Sequence, residues 1–210
     1  MKNKICYIIG AGKNYGLDFI KQDKDFIIAA DGGLNHLKKI KIQPDLVIGD
    51  FDSAKKNPKD LNVIKLKVDK DDTDTFAAIA KGLDFGYQKF VVYCGTGFRL
   101  DHTIANIQTL AFLANQNKQG YIVDKNIIIT AIKNNKIEFP KIKSGYVSVF
   151  SFSDKSEGVF IKGLKFELDN AILFNTLPKG VSNEFINKKS FISVDKGTLI
   201  IIYPRDVKII

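Results

Sequence analysis

The pattern of apolar residues changes about halfway along this 210-residue chain, and that change limits the folds the chain can adopt. Up to about residue 118, short apolar runs alternate with longer amphipathic stretches, which is typical of a mostly parallel sheet covered by helices. After that point, closely spaced runs of Ile, Val, Phe and Tyr are separated by turn residues, as in an all-β sandwich or barrel. We therefore predict an α/β domain with a mostly parallel sheet over residues 1–118 and an all-β sandwich over residues 119–210.

The first half is predicted to contain five strands and four helices. The strands are the runs ICYIIG, FIIAA, DLVIG, NVIKLKV and KFVVYCG. The first helix ends near residue 24, and the others cover residues 34–40, 73–85 and 102–115. Ligands of such open sheets bind at the carboxyl ends of the strands, so a functional site is expected there.

The chain is basic, with a net charge of +9 from 32 Lys and Arg against 23 Asp and Glu. The lysines occur singly or in pairs rather than in blocks, which is typical of a solvated surface. A basic surface attracts anionic ligands such as nucleotides, and it is also found in nucleic-acid-binding proteins. No nucleic-acid-binding module is recognisable, so a nucleic-acid partner is the less favoured interpretation.

The two cysteines, Cys6 and Cys94, lie in apolar runs. This placement predicts buried thiols in a reducing compartment rather than a disulfide or a metal site. The first apolar run is interrupted by glycines and is shorter than the core of a signal peptide. No run approaches the ~18 apolar residues that a membrane helix needs. We therefore expect a cytoplasmic protein without a membrane partner.

The segment GAGKNYG follows the first strand and partly matches a dinucleotide-binding fingerprint. Gly10 and Gly12 fit the first two glycines, but the third position is Tyr15, and Gly16 comes one residue late. The spacing therefore favours a plain strand-to-helix turn over nicotinamide binding.

Aspartates are concentrated in the first half, mostly at the ends of apolar runs. They are Asp31, Asp45, Asp50, Asp52, Asp69, Asp71, Asp72 and Asp74. So many like charges in one place cost free energy unless a cation is present. A divalent metal with a polyphosphate is the natural occupant.

Two of these segments are specific enough to predict metal ligands. In GDFDS, Asp50 and Asp52 alternate around Phe51 after a strand, so both carboxylates can converge on Mg²⁺, which prefers oxygen ligands. A solvated acidic turn capped by Ser53 is the alternative. In KDDTD, an N-cap at Thr73 or Asp72 explains some of the acids. The surplus suggests a second carboxylate arm for the same metal, with Lys70 near phosphate oxygens.

The segment GTGFRLDH, residues 95–102, follows the fifth strand and precedes a helix. Its glycines allow backbone N–H groups to approach a phosphate, and Arg99 can chelate phosphate oxygens. Asp101 and His102 then begin the helix. For His102 alone, an ordinary position at a helix N-terminus remains open.

The order DGG, PDLVIGDFDS, KDDTD, GTGFRLDH and VSNEF resembles the thiamine pyrophosphokinases, which transfer diphosphate from ATP to thiamine. The resemblance extends from about residue 7 to residue 202. It implies an α/β catalytic domain that binds ATP and Mg²⁺, and a β-sandwich that binds thiamine and forms the dimer interface. It also implies a homodimer whose active sites use residues of both subunits.

The resemblance assigns roles position by position. The catalytic set is Asp50, Asp52, Asp71 and Asp74, which also bind the metal, with Arg99 and Asp101. Nucleotide binding falls to Asp31, Gly32, Lys70, Thr73, Gly95, Thr96, Arg99 and His102. Thiamine binding falls to Asp74, Asp101, Phe166, Ser182, Asn183 and Phe185.

The sequence departs from the family pattern at two positions. Phe98 replaces the second glycine of the usual GGR, and Phe166 stands where relatives often have Trp. With 16 Phe in the chain, Phe166 and Phe185 also fit an ordinary core role. A related diphosphokinase acting on a pterin-type alcohol, and a basic nucleic-acid-binding protein, are the alternative functions.

Overall fold

The computed structural model describes residues 4–49, 62–66 and 73–207, which fall into two compact units. The first unit lies within residues 1–106 and 122–124, and the second within residues 107–121 and 125–210. Within the described ranges, none of the helices is long and apolar enough to cross a membrane.

The first unit contains a parallel sheet with helices in the connections. Its strands are β1 Ile5–Ile9, β2 Phe26–Ala30, β3 Leu46–Gly49, β4 Val63–Lys65 and β5 Lys89–Tyr93, in the order β5-β1-β2-β3-β4. Each neighbouring pair is parallel. The helices are α1 Gly33–Lys39, α2 Asp74–Asp84 and α3 Leu100–Asn115, which continues into the second unit. The central strands are buried almost completely, as expected when both faces of a parallel sheet are covered.

Helix α2 shows how the local sequence produces its element. Thr73 is the N-cap, and its hydroxyl oxygen accepts a hydrogen bond from the N–H of Phe76 at 3.2 Å. The buried face carries Ala78, Ile79 and Gly82. Gly82 has no room for a larger residue, because a Cβ there would approach the ring of Phe90 at 2.6 Å. The capped start therefore fixes the position of Asp74, the first residue of the helix.

The prediction of a helix between β1 and residue 24 is wrong. Residues 11–22 form no helix, and contacts with distant residues hold the segment instead. Phe19 stacks on the Tyr7 ring with the centroids 4.3 Å apart, and Lys21 forms an ion pair with Asp45 at 2.7 Å. Asn14 accepts the N–H of Gly16 through its side chain, a local bond that competes with helix formation.

The second unit is built mainly from antiparallel strand pairs. Its strands are β7 Ile127–Lys133, β8 Lys136–Phe139, β9 Tyr146–Ser151, β10 Lys155–Lys162, β11 Leu168–Phe174, β12 Gly180–Glu184, β13 Ser190–Lys196 and β14 Thr198–Pro204. Strand β6 Gln119–Val123 is divided between the two units. Strands β12-β9-β14-β7 lie side by side in one layer, and β11-β10-β13-β8 in the other. The mostly parallel sheet of the first unit and this antiparallel sandwich confirm the predicted fold class.

Candidate active site

A cavity of about 260 Å³ lies in the first unit, at the carboxyl ends of β1, β2 and β5. Its walls are the loops that follow these strands and the first turns of α2 and α3. The predicted site residues that line it are Asp31, Thr73, Asp74, Gly95, Thr96, Arg99 and His102. Segments far apart in the sequence therefore meet at the edge of the sheet where ligands of such folds bind.

Part of the predicted metal and phosphate site lies outside the described residues. These positions are the predicted metal ligands Asp50, Asp52 and Asp71 and the predicted phosphate-binding residue Lys70. Among the residues that the structure describes, no group of three or more His, Cys, Asp or Glu side chains is placed to hold a metal ion. Of the four predicted metal ligands, Asp74 is described, at the start of α2 beside the cavity.

Asp31 directly follows β2 and has an uncommon backbone conformation. Its φ is 46°, in the left-handed region that Asp tolerates better than most residues. Its N–H donates to the carbonyl of Ile48 at 2.7 Å, which fixes this turn beside β3. Gly49 makes the close approach possible, since a Cβ there would lie 3.2 Å from the Asp31 Cα. Gly32, the N-cap of α1, follows directly and does not line the cavity.

Three successive carbonyl groups of the loop after β5 accept hydrogen bonds from the loop after β1 and from α3. The bonds are Gly12 N–H to Cys94 O at 2.7 Å, Asn106 Nδ2 to Gly95 O at 2.7 Å, and Lys13 N–H to Thr96 O at 2.8 Å. Since the C=O and N–H of a trans peptide unit point in opposite directions, the N–H groups of Gly95, Thr96 and Gly97 point away from these partners. No described residue accepts from them. Consecutive free N–H groups can bind an anion where they converge.

The side chains of Asn106 and Asp124 hold this loop. The buried Thr96 donates its hydroxyl to Asp124 at 2.6 Å, and the buried Asn106 binds the Gly95 carbonyl and lines the cavity. Neither Asn106 nor Asp124 is among the sequence-predicted site residues. Signals for both are present, because Asp124 ends an apolar run, as the other aspartates do, and Asn106 lies one helical turn after His102.

Arg99 and Asp101 form an exposed, two-point ion pair at the start of α3. Arg99 Nε donates to Asp101 Oδ1 at 3.2 Å and Nη2 to Oδ2 at 2.5 Å, and the His102 N–H also donates to Oδ1. The hydrogen bond from Arg99, followed by that from the His102 backbone, lowers the pKa of Asp101 to about 2. Asp101 therefore stays ionised at neutral pH and orients the guanidinium group, while it does not itself line the cavity.

Cys94 directly follows β5 at the cavity wall, with a φ of 55°. Both cysteines are buried free thiols, as predicted. Burial raises the pKa of Cys94 to about 11 and raises the pKa of Cys6 still further. Since the thiolate is the reactive form, both side chains are protected from electrophiles at neutral pH.

Alkylation checks this protection. At pH 8 the thiolate fraction of Cys94 is expected to be roughly a hundredfold lower than in the unfolded chain, because of its raised pKa. Native protein treated with iodoacetamide should therefore stay unlabelled under conditions that label both cysteines in guanidinium chloride, as read by intact mass. Rapid labelling of native Cys94 would contradict the buried thiol.

The second unit brings together the remaining predicted residues. Phe166 is 60% exposed, whereas Asn183 is buried and bonded to the backbone of Phe166. Ser182 is exposed and has a φ of 59°. Phe185 is only 3% exposed and packs edge-to-face against Phe139 with the ring centroids 5.2 Å apart. Within this unit Phe185 is thus a core residue, and its stacking on a ligand stays a prediction that this burial does not favour.

An α/β unit with a cavity at the carboxyl ends of its parallel strands, followed in the chain by an antiparallel sandwich, defines a class of two-part proteins. Comparison with known families makes this specific. The thiamin pyrophosphokinase catalytic domain matches residues 18–122, and the thiamin pyrophosphokinase vitamin B1 binding domain matches residues 134–199. The chain belongs to the thiamin pyrophosphokinase family.

Individual relatives match this chain over most of its length. The thiamine pyrophosphokinase of Bacillus subtilis (strain 168) is 28% identical over 188 residues, which cover 85% of this chain and 87% of that protein. The crystal structure of thiamine pyrophosphokinase from Bacillus subtilis superimposes with a TM-score of 0.84 at 25% identity, over 96% of this chain and 99% of that one. The thiamin pyrophosphokinase of Geobacillus thermodenitrificans, at 24% identity, shares the fold with a TM-score of 0.84, over 98% and 100% of the two chains.

Proposed function

We propose that this protein transfers diphosphate from Mg²⁺–ATP to the hydroxyl group of thiamine, giving thiamine diphosphate and AMP. The observation that carries the proposal is the cavity of the first unit. It combines the free backbone N–H groups of Gly95 and Thr96, the cation Arg99 and the carboxylate of Asp74 in the region matched by the catalytic domain of the family. The match of the second unit to the vitamin B1 binding domain supports thiamine as the acceptor.

In the proposed reaction the hydroxyl oxygen of thiamine attacks the β-phosphorus of ATP. A bond forms between these atoms, the bond from the β-phosphorus to the bridging oxygen of the α-phosphate breaks, AMP leaves with that oxygen, and the hydroxyl proton is released to the solvent. Enzymes of phosphoryl transfer contribute mainly alignment and charge stabilisation. Here the N–H groups of Gly95, Thr96 and Gly97 would bind phosphate oxygens. Arg99, oriented by Asp101, would stabilise the charge of the transferred group.

The donor set fits Mg²⁺ as far as the structure describes it. Asp74 offers a hard oxygen ligand at the cavity, and Mg²⁺ usually takes one or two carboxylates together with substrate phosphates. Asp50, Asp52 and Asp71 are proposed as further ligands. When bound, Mg²⁺ would supply positive charge to the phosphate oxygens. Asp31, Gly32, Thr73 and His102 are proposed for the nucleotide.

The remaining proposals concern thiamine and the assembly. Phe166 and Ser182 are exposed and available to thiamine. From the family resemblance we propose a homodimer whose active sites use residues of both subunits. We also propose a cytoplasmic location, with neither a membrane nor nucleic acid as a partner.

The experiment that tests the function measures both products. With Mg²⁺, ATP and thiamine, we expect AMP and thiamine diphosphate in equal amounts, identified by mass, and neither product when thiamine is omitted. AMP formation with a pterin alcohol but not with thiamine would replace the proposed acceptor. No product with either alcohol would overturn the transferase proposal.

A further inference from the structure

The exposed ring of Phe166 is carried by a loop whose backbone is held at several points. The loop, residues 163–167, connects β10 and β11. Leu164 is buried and forms a β-bridge with Phe185, while the carboxylate of Glu167 accepts the N–H of Gly163 at 2.8 Å. The Lys165 N–H donates to the Glu184 carbonyl at 3.0 Å. A large apolar side chain at 60% exposure is therefore displayed on a fixed backbone.

The side-chain amide of Asn183 completes this support. The Phe166 N–H donates to Asn183 Oδ1 at 3.0 Å, and Asn183 Nδ2 donates to the Phe166 carbonyl at 2.6 Å. Oδ1 also accepts the N–H of Glu184 at 2.9 Å. A carboxamide oxygen has two acceptor sites, and both are used within the protein. Asn183 is 5% exposed, so its oxygen is not available to a substrate.

The charges around the ring indicate what it can bind. Lys165 Nζ lies 5.4 Å from the centroid of the Phe166 ring and forms an ion pair with Glu184 at 2.6 Å. The ring thus already has a cation over one face, where its π-electrons attract positive charge. A flat, electron-poor or cationic heteroaromatic ring is the ligand chemistry that fits such a platform, and thiamine contains two rings of this kind.

From these contacts we infer that Asn183 is a positioning residue, which fixes Phe166 as an aromatic platform for thiamine and does not itself bind the substrate. This inference rests on the proposed function for the identity of the ligand. The positioning itself is a property of the free protein and is measured without any substrate.

The substrate-free test uses a single fluorophore. The chain contains no Trp, so Phe166→Trp introduces one reporter at the platform. Asn183→Asp keeps the size of the side chain but replaces the donor to the Phe166 carbonyl with a repelling oxygen. Time-resolved anisotropy is expected to show a restrained indole with Asn183 and a clearly more mobile indole after Asn183→Asp. Equal mobility in both proteins would overturn the positioning role.

The kinetic test separates positioning from direct binding. Asn183→Asp is expected to raise the KM for thiamine about tenfold through the lost hydrogen bond, with the KM for ATP and kcat little changed. In a double-mutant cycle, Asn183→Asp should add nothing to the effect of Phe166→Ala, because Asn183 acts through that ring. If the double variant instead raises the KM for thiamine by the product of the two single effects, Asn183 contacts thiamine itself. That result would overturn the inference.

Two controls complete the design. Asn170→Asp makes the same chemical change at an exposed position of β11 and is expected to leave anisotropy and kinetics unchanged. If Asn183→Asp does not fold, Asn183→Ser, which keeps a hydroxyl acceptor, carries the same comparisons. A wild-type protein that makes no thiamine diphosphate would defeat the proposed function, while the anisotropy result would still decide whether Asn183 holds Phe166.

Discussion

Replacing Asp74 with asparagine is expected to lower kcat at least about a hundredfold, the usual scale for removing one group that stabilises transition-state charge. Asp74 begins α2 and lines the cavity, and the cap at Thr73 fixes its backbone. Asparagine has the same shape, so the cavity keeps its form while the carboxylate that would hold the cation is lost. Thiamine diphosphate formation, measured over a range of Mg²⁺ concentrations, should show that more Mg²⁺ is needed for half-maximal rate.

The other end of the same helix provides the matched control. The Asp84 side chain is 68% exposed and forms an ion pair with Lys81 at 3.4 Å. Because exposed ion pairs contribute about 0–1 kcal/mol, Asp84→Asn should leave kcat and the Mg²⁺ dependence unchanged and shift Tm only slightly. If Asp74→Asn turns over like the wild type with the same Mg²⁺ dependence, this carboxylate is not part of the cation site.

The position of the cavity, at the carboxyl-end edge of the sheet, was predictable because it follows from the direction of the strands alone. Asp31, Asp74 and Gly95 belong to segments far apart in sequence, yet all three line one cavity. Parallel strands present their carboxyl ends at a common edge, so polar residues that follow such strands must come together. This reasoning needs only the positions of the strands, which the apolar runs reveal.

Contacts between distant residues explain what the sequence did not reveal. The segment after β1 is held by Tyr7 against Phe19 and by Asp45 against Lys21, and no local pattern contains these partners. The role of Asp124 likewise depends on its bond to Thr96, 28 residues earlier. Local propensity therefore suggested a helix where tertiary contacts hold an irregular segment.

The aromatic residues show the same limit. Phe166 and Phe185 both occur in apolar surroundings in the sequence, but the first is 60% exposed and the second 3%. The difference depends on the buried Asn183, whose amide holds the Phe166 loop, and on Phe139, which packs on Phe185. The resemblance to the family predicts that both rings contact thiamine. Packing in the second unit instead leaves Phe166 exposed and buries Phe185 in the core.

Gly12→Ala is expected to abolish nucleotide binding, for a reason unrelated to the dinucleotide fingerprint it partly matches. A Cβ at this position would lie well inside van der Waals contact of two backbone oxygens, those of Cys94 and Thr96. Backbone atoms cannot rotate away as a side chain can, so the two loops must separate. That separation breaks the bond from the Gly12 N–H to the Cys94 carbonyl and turns the N–H groups of the anion-binding loop.

For Gly12→Ala we expect kcat/KM for ATP to fall at least about a hundredfold. The displaced N–H donors would no longer stabilise the negative charge of the phosphate groups. Mg²⁺–ATP should then no longer raise Tm, because stabilisation by a ligand requires binding to the folded state. Gly86→Ala is the control. Gly86 has a φ of +76° but only Lys4 Nζ, at 3.9 Å, near the added Cβ. Gly86→Ala should lower the free energy of unfolding by about 1–2 kcal/mol, because alanine is strained at this φ. It should leave kcat and KM unchanged.

A Gly12→Ala protein that still binds Mg²⁺–ATP with wild-type affinity would contradict the anion-binding role of the loop after β5. The carbonyls of Cys94 and Thr96 face their partners, the N–H groups of Gly12 and Lys13, only while the loop at Gly12 stays close. Binding that survives the separation of the loops would therefore have to depend on other groups. Loss of binding in Gly12→Ala but not in Gly86→Ala would instead tie the site to this backbone contact, because the two substitutions add the same methyl group and differ in what it meets.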